Sequence, residues 1–360
     1  MSTLITHGSG LLLGALLGFI LQRGRFCVTG AFREVWTSGR TRWLTAYLIA
    51  IAMSSIGFFS LLQFGLVKDS DTPLATTIGS LIFGAGIILA GGCATGTYYR
   101  AGEGLIGSWL ALITYAVSAA MMKKGVLRPV NDGLQNANNT GLTTLYGALD
   151  VTPWLFVFAL TGGVSWLTWR HLRAERNLKV ASLPPLRTGL AHLLFEKPWH
   201  PFVSAMFIGA IATLAYPLSY STGRESGLGI TTPSANLAHG LIAGDLSELT
   251  NWGTLLVVGI IIGSYIAAKA SGEFRLRVPD TGTLVKALLG GLAMGIGASL
   301  AGGCTIGGSL VGSAELSLNG FLSFAGFFAG VGVAAKLFLR PRQKTLASDA
   351  SSPATAPTTI

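Results

Sequence analysis

The chemistry available to this sequence is concentrated in three cysteines, Cys27, Cys93 and Cys304. Three thiols cannot close into a set of disulfides, and the absence of a Cys-x-x-Cys pair or a His-Cys ligand spacing disfavours zinc, haem and iron–sulfur sites. A lone buried cysteine is most often a small hydrophobe. Two of these three, however, recur in one context, Ala90-Gly91-Gly92-Cys93-Ala94-Thr95-Gly96 and Ala301-Gly302-Gly303-Cys304-Thr305-Ile306-Gly307. Aligning residues 83–96 with 294–307, a shift of 211, gives eight identities in fourteen positions. For Cys93 and Cys304 function outweighs packing. For Cys27, which follows Gln22-Arg23-Gly24-Arg25-Phe26, the packing and pathway roles are evenly matched.

A thiol with an ordinary pKa of about 8.5 is mostly protonated at neutral pH and is a weak donor. Such a group suits the polarizable sulfur of a small anion, because it holds the ligand without the desolvation cost of a buried Lys or Arg. Gly91, Gly92, Gly96, Gly302, Gly303 and Gly307 then support the thiols by letting backbone and ligand approach closely. If the motifs form helix ends, the N–H groups of Gly92, Cys93, Ala94, Gly303, Cys304 and Thr305 are placed to meet negative oxygens. No catalytic residue, metal ligand set or cofactor motif is expected. Arg100 and Glu103 are expected to form an ion pair that fixes the first motif, and His192 and His200 read as interfacial loop residues.

These groups must be positioned by membrane-spanning helices. Half of the 360 residues are hydrophobic and 11% are charged, and the mean hydropathy is +0.58. A bilayer core needs about 20 apolar residues per helix, and on that ruler nine segments begin near residues 10, 43, 76, 104, 152, 200, 252, 284 and 319. The two that end in Gly-Gly-Cys are expected to be discontinuous or re-entrant. The fold class is therefore all-α and polytopic, one transmembrane transport domain over 1–345. Its repeat halves cover about 8–170 and 200–340, joined by a basic loop over 171–199, and a disordered tail follows at 346–360. A weaker echo relates Gly14-x-x-x-Gly18 to Gly259-x-x-x-Gly263.

The net charge of +10, from 25 basic and 15 acidic residues, is spread between apolar runs without aromatic interleaving, which argues against nucleic-acid binding. Basic clusters at Arg23–Arg42, Arg170–Lys197, Lys269–Lys286 and Arg340–Lys344 fall on one side if each segment crosses once. Retention of Lys and Arg on the cytoplasmic side then places the N-terminus outside and the C-terminus inside. Met1–Gly10 lacks the features of a cleaved signal. Trp43, Trp109, Trp154, Trp199 and Trp252 sit at span ends, as interfacial anchors or as plain packing. Lys123–Asp150, with Asn131, Asn136, Asn138 and Asn139, reads as an external loop.

Through Gln22-Arg23-Gly24-Arg25-Phe26-Cys27 and the two Gly-Gly-Cys motifs, the sequence resembles the YeeE/YedE family of bacterial thiosulfate transporters. Leu183-Pro184-Pro185, Gly227-Leu228-Gly229-Ile230-Thr231, Asn251-Trp252-Gly253 and Ala267-Ala268-Lys269-Ala270-Ser271 extend the resemblance over nearly all of residues 10–342. It implies an hourglass-shaped helical protein of the inner membrane in which Cys93, with Cys27 and Cys304, relays thiosulfate through S–H···S contacts. It also implies a separate cytoplasmic sulfur-carrier protein of the TusA type as partner. Two other readings stand beside it: a sulfurtransferase in which Cys93 carries a persulfide with Arg100 nearby, and a carrier of a related sulfur or selenium species.

Overall fold

A computed structural model describes residues 2–68, 77–137, 143–176, 189, 192–197 and 199–339. Asn138, Asn139, Lys179, Leu183-Pro184-Pro185, Arg187 and the tail from Arg340 lie outside them. The first half contains α1 (Ser2–Gly24), α2 (Val28–Ser38), α3 (Arg42–Gln63), α4 (Thr77–Leu89), α5 (Ala94–Gly102) and α6 (Ile106–Lys123). Two short helices, α7 (Arg128–Ala137) and α8 (Leu145–Leu149), lead to α9 (Pro153–Glu175). After a π-helical turn at His192–Glu196 come α10 (Pro201–Tyr220), α11 (Thr231–Ala243), α12 (Leu246–Leu249), α13 (Trp252–Ala270) and α14 (Thr281–Leu300). A second π-helical stretch, Thr305–Val311, runs on through α15 (Gly312–Ala314), and α16 (Leu318–Phe338) follows.

Eight of these stretches are long and apolar enough to cross a membrane, so the chain is a multi-pass membrane protein. Three of the eight are too long for one crossing: His7–Ser38, Thr77–Gly102 and Thr281–Ala314, of 32, 26 and 34 residues. Each is interrupted. The expected ninth segment is α9, whose 23 residues reach about 34 Å but are less apolar than the eight. It packs on α3, the start of α3 meeting the end of α9 through Thr41 with His171 and Arg42 with Glu175.

Local signals set the helix starts. Pro153 and Pro201 occupy first-turn positions where a missing N–H costs nothing. Asn251 accepts from Gly253 N at 3.0 Å and Asp280 from Thr283 N at 3.1 Å, capping α13 and α14. The Asn-rich stretch after α6 is not an open loop. Pro129 starts α7, Asn131 is buried, and Gln135 Nε2 donates to Ser299 O at 2.8 Å, so α7 packs against α14.

Two helix pairs organise the centre. α1 and α13 run parallel, and a Cβ on Gly14 or Gly18 would stand 2.0 or 2.1 Å from the carbonyl oxygens of Leu256 or Ile260. The Gly-x-x-x-Gly echo is thus a contact between the two helices that carry it. α4 and α14 run antiparallel, with Gly297 against Phe83 and Gly290 against Ala90. The breaks beyond their C-termini, which carry Cys93 and Cys304, therefore lie toward opposite ends of the pair.

Candidate functional site

Each interrupted span breaks at a cysteine. Cys27, Cys93 and Cys304 are the N-cap residues of α2, of α5 and of the Thr305–Val311 stretch, all with extended backbone. The two Gly-Gly-Cys motifs follow one backbone path. Ala90 N donates to Gly86 O and Ala301 N to Gly297 O; Gly91 and Gly302 then turn with φ of 73° and 75°. That left-handed conformation suits glycine, which has no Cβ to clash. Beyond the break, Thr97 N donates to Cys93 O and Gly308 N to Cys304 O.

The break at Cys27 is one that sequence reasoning missed, having placed this residue at the end of a span. No glycine turns the chain there; Arg25 does, with φ of 47°. Phe26 N donates to Leu21 O and Arg25 N to Gln22 O, closing the end of α1. A non-glycine residue held in this conformation is strained by roughly 1–2 kcal/mol, and Glu273 supplies the restraint. It accepts from Gln22 Nε2 at 2.7 Å and from Arg25 Nη2 at 3.1 Å, and Arg23 Nη1 lies 3.7 Å away. Arg23 also donates to the carbonyls of Leu194 and Lys197, pinning the basic connection to the first break.

All three thiols face inward, with exposures of 7%, 1% and 0% for Cys27, Cys93 and Cys304. A Cβ on Gly96 would lie 3.0 Å from Cys27 Sγ and 3.3 Å from Cys93 Sγ, so the two sulfurs are no more than about 6.3 Å apart. Gly96 N donates to Cys93 Sγ at 3.3 Å, so a first-turn N–H of α5 is spent on the thiol. Thr305, next in sequence to Cys304, has its hydroxyl near the Cys93 thiol.

Neutral hydroxyls surround this line. Tyr47 OH donates to Thr305 O at 2.6 Å, Tyr98 OH meets Ser234 Oγ at 2.8 Å, and Tyr115 OH donates to Thr231 Oγ1 at 3.0 Å. The hydroxyls of Thr95, Thr305, Ser309 and Ser313 are buried without a hydrogen-bond partner among the described residues. Orphan polar atoms are costly in a dry interior. The tyrosines were invisible to sequence reasoning because their partners are 116 to 258 residues away.

Cavities lie at both ends of α3. Beyond its C-terminus, Lys68, Arg224, Glu315 and Asn319 share a cavity of about 380 Å³ with Gly302, Gly303, Gly307 and Gly308, which flank Cys304. Arg224 stacks over Trp252, 5.6 Å from the ring centroid, while its Nη1 is buried without a partner. Burial pushes its pKa down to about 10. At the N-terminus of α3, Cys27, Arg25, Arg33, Trp43 and Arg100 line a cavity of about 310 Å³. A neighbouring one of about 480 Å³ shares Arg25 and Arg100 and adds Glu103, Glu273, Arg275 and Arg277. Burial also raises the Glu103 carboxyl above its ordinary value.

The expected pair of Arg100 with Glu103 is replaced. Arg100 Nη1 donates to the carbonyl of Gly91, tying α5 to the glycine turn before it. His192 and His200 each meet one carboxylate, Glu196 and Glu175. No group of three metal-binding side chains exists among the described residues. Trp252 is no interfacial anchor: it is 1% exposed and donates to Ser9 Oγ.

A profile of the family described as "Sulphur transport" matches residues 23–333. The chain is 49% identical over 348 residues to the thiosulfate transporter TsuA of Escherichia coli K12, covering 96% of this chain and 98% of the relative. It is 33% identical to TsuA of Spirochaeta thermophila over 339 residues, 89% of this chain and 96% of the relative. A shorter similarity, 44% over 103 residues, covers 28% of this chain and 26% of the probable transporter YedE of Escherichia coli K12.

Proposed function

The chain belongs to the sulphur-transport (YeeE/YedE) family, and on that premise we propose that it carries thiosulfate across the bacterial inner membrane along Cys304, Cys93 and Cys27. One observation carries the reading: three buried thiols cap the three broken spans, between two cavities at opposite ends of α3 that each carry cationic side chains, Lys68 and Arg224 beside Glu225 and Glu315 at one and Arg25, Arg33 and Arg100 beside Glu34 at the other. Thiosulfate is a dianion with one soft terminal sulfur. The cavity cations draw it in, Arg224 at the mouth where Glu225 already pairs with Lys68, and Arg25, Arg33 and Arg100 at the other. Between them the contacts are thiols and hydroxyls. An S–H donates weakly to the terminal sulfur, and the hydroxyls and helix-end N–H groups meet the oxygens. Weak successive sites favour passage, whereas a buried guanidinium would trap a dianion.

The arginine-rich mouth faces the cytoplasm, since Lys and Arg are retained there; the N-terminus is then periplasmic and Cys304 meets the ion first. The two halves form one domain as an inverted repeat, α1 to α3 answering α10, α11 and α13, while α4 answers α14 and α6 answers α16. The symmetric packing of α1 on α13 and α10 on α3, and of α14 on α6 and α4 on α16, supports this pairing. Ile230, the N-cap of α11, then stands where the first half has Cys27. A TusA-like carrier accepts the sulfur species at the cytoplasmic mouth.

Uptake of sulfur-labelled thiosulfate into proteoliposomes containing only this protein tests the reading. Cys93→Ala is expected to abolish uptake, and Cys304→Ala and Cys27→Ala to reduce it. Sulfite or selenosulfate competing better than thiosulfate would reassign the substrate, and full uptake by Cys93→Ala would remove the relay.

A further inference from the structure

The lipid-facing side of the bundle carries a groove that the pathway does not use. Its floor is Ile49, Ala52, Met53 and Ile56 of α3, its walls are α9 and α10, and its volume is about 600 Å³. On α9 the lining residues Thr161, Val164, Ser165, Thr168 and Leu172 follow one helical stripe. Thr161 to Leu172 spans about 17 Å of helix, close to half of a hydrocarbon core of about 30 Å. The groove is thus one leaflet long.

Its two ends differ. At the far end of the stripe, Arg173 lies four residues beyond Trp169 and Arg176 four beyond Leu172, so both continue the lining face. Both are exposed. Arg173 is held at the mouth by stacking over Trp169, 5.2 Å from the ring centroid. Glu175, between the two arginines in sequence, is committed elsewhere: it pairs with Arg42 at 2.6 Å and with His200 at 3.1 Å. An apolar slot one leaflet long that ends in two arginines matches a lipid with a fatty chain and a negative headgroup.

We propose that this groove is a binding site for an anionic phospholipid, one acyl chain lying between α9 and α10 on α3 and the phosphate meeting Arg173 and Arg176. A zwitterionic lipid fills the apolar part equally well but leaves the cationic end without a net negative partner. Because α9 touches the bundle chiefly through α3, an occupied groove also braces α9 against α10.

The test uses the full-length protein, delipidated in detergent and supplied with phosphatidylglycerol or phosphatidylcholine of the same acyl chains. Native mass spectrometry is expected to show retention of phosphatidylglycerol favoured by about thirtyfold, the scale of two arginines at an anionic surface. An R173Q/R176Q double variant should bring that ratio near one. Val203→Trp, which fills the groove from its α10 wall, should exclude both lipids. Thermal unfolding of the unmodified protein provides a reading independent of any variant, with the midpoint raised more by phosphatidylglycerol than by phosphatidylcholine. Equal retention of both lipids, a preference unchanged in R173Q/R176Q, or the same thermal shift from inorganic phosphate would each overturn the proposal.

Discussion

In a Gly96→Ala variant the new Cβ would stand 3.0 Å from Cys27 Sγ and 3.3 Å from Cys93 Sγ. Carbon pairs prefer roughly 3.5–4.0 Å and sulfur is larger, so both thiols must give way where they meet. Overpacking of this kind costs about 1–3 kcal/mol. If that cost falls on the passing ion, the rate drops by about 5-fold to 150-fold, a factor of ten for each 1.36 kcal/mol. Gly307, at the matching position of the second motif, is the internal comparison. A Cβ there meets Gly229 Cα at 3.3 Å and Leu228 O at 3.5 Å, and no sulfur. Initial rates of labelled thiosulfate uptake into proteoliposomes, normalised to inserted protein, should therefore fall far more for Gly96→Ala than for Gly307→Ala. Equal rates for wild type and Gly96→Ala at equal thermal stability would refute the placement of the pathway between Cys27 and Cys93.

Arg224→Gln removes the guanidinium with a buried, unpartnered Nη1 in the cavity beside Cys304; the half-saturating thiosulfate concentration should rise by about tenfold, the loss of one charged contact, with little change in maximal rate. Gly263→Ala puts a Cβ 1.9 Å from Ala15 O, so α1 and α13 must separate and the unfolding midpoint should fall, on the scale of about 1–3 kcal/mol, as read by thermal unfolding in detergent. Glu248 bonds Lys124 and, at 2.9 Å, His239; although burial opposes it, these partners hold its carboxyl below the ordinary value. Its stabilisation is therefore present above the ordinary glutamate pKa of about 4.3 and lost as pH falls through the lower folded value. Glu248→Gln should lower the unfolding midpoint at neutral pH and match wild type in acid.

Much of the architecture was legible because membrane helices obey strong local rules. Apolar length located the spans, since the bilayer leaves unpaired backbone no alternative to a helix. The repeated Gly-Gly-Cys motif located two breaks, since positive φ needs glycine and the shift of 211 doubled the signal. The third break was illegible because Arg25, not glycine, takes the left-handed turn, and the Glu273 that holds it is 248 residues away. Lys123–Asp150 read as a loop because short helices such as α7 depend on packing against neighbours more than on their own composition.

The sequence by itself determined that this chain lives in a membrane, where two of its helices break, and which thiols stand at those breaks, because hydrophobic length and glycine placement act over a few residues. Only the tertiary structure decided that Cys27 joins them. Packing of α1 on α13 and of α4 on α14 brings Cys27 and Cys93 against Gly96, sets Cys304 toward the other cavity, and aims Arg224 and three tyrosines at the interior. Those are contacts across hundreds of residues, and no local pattern encodes them.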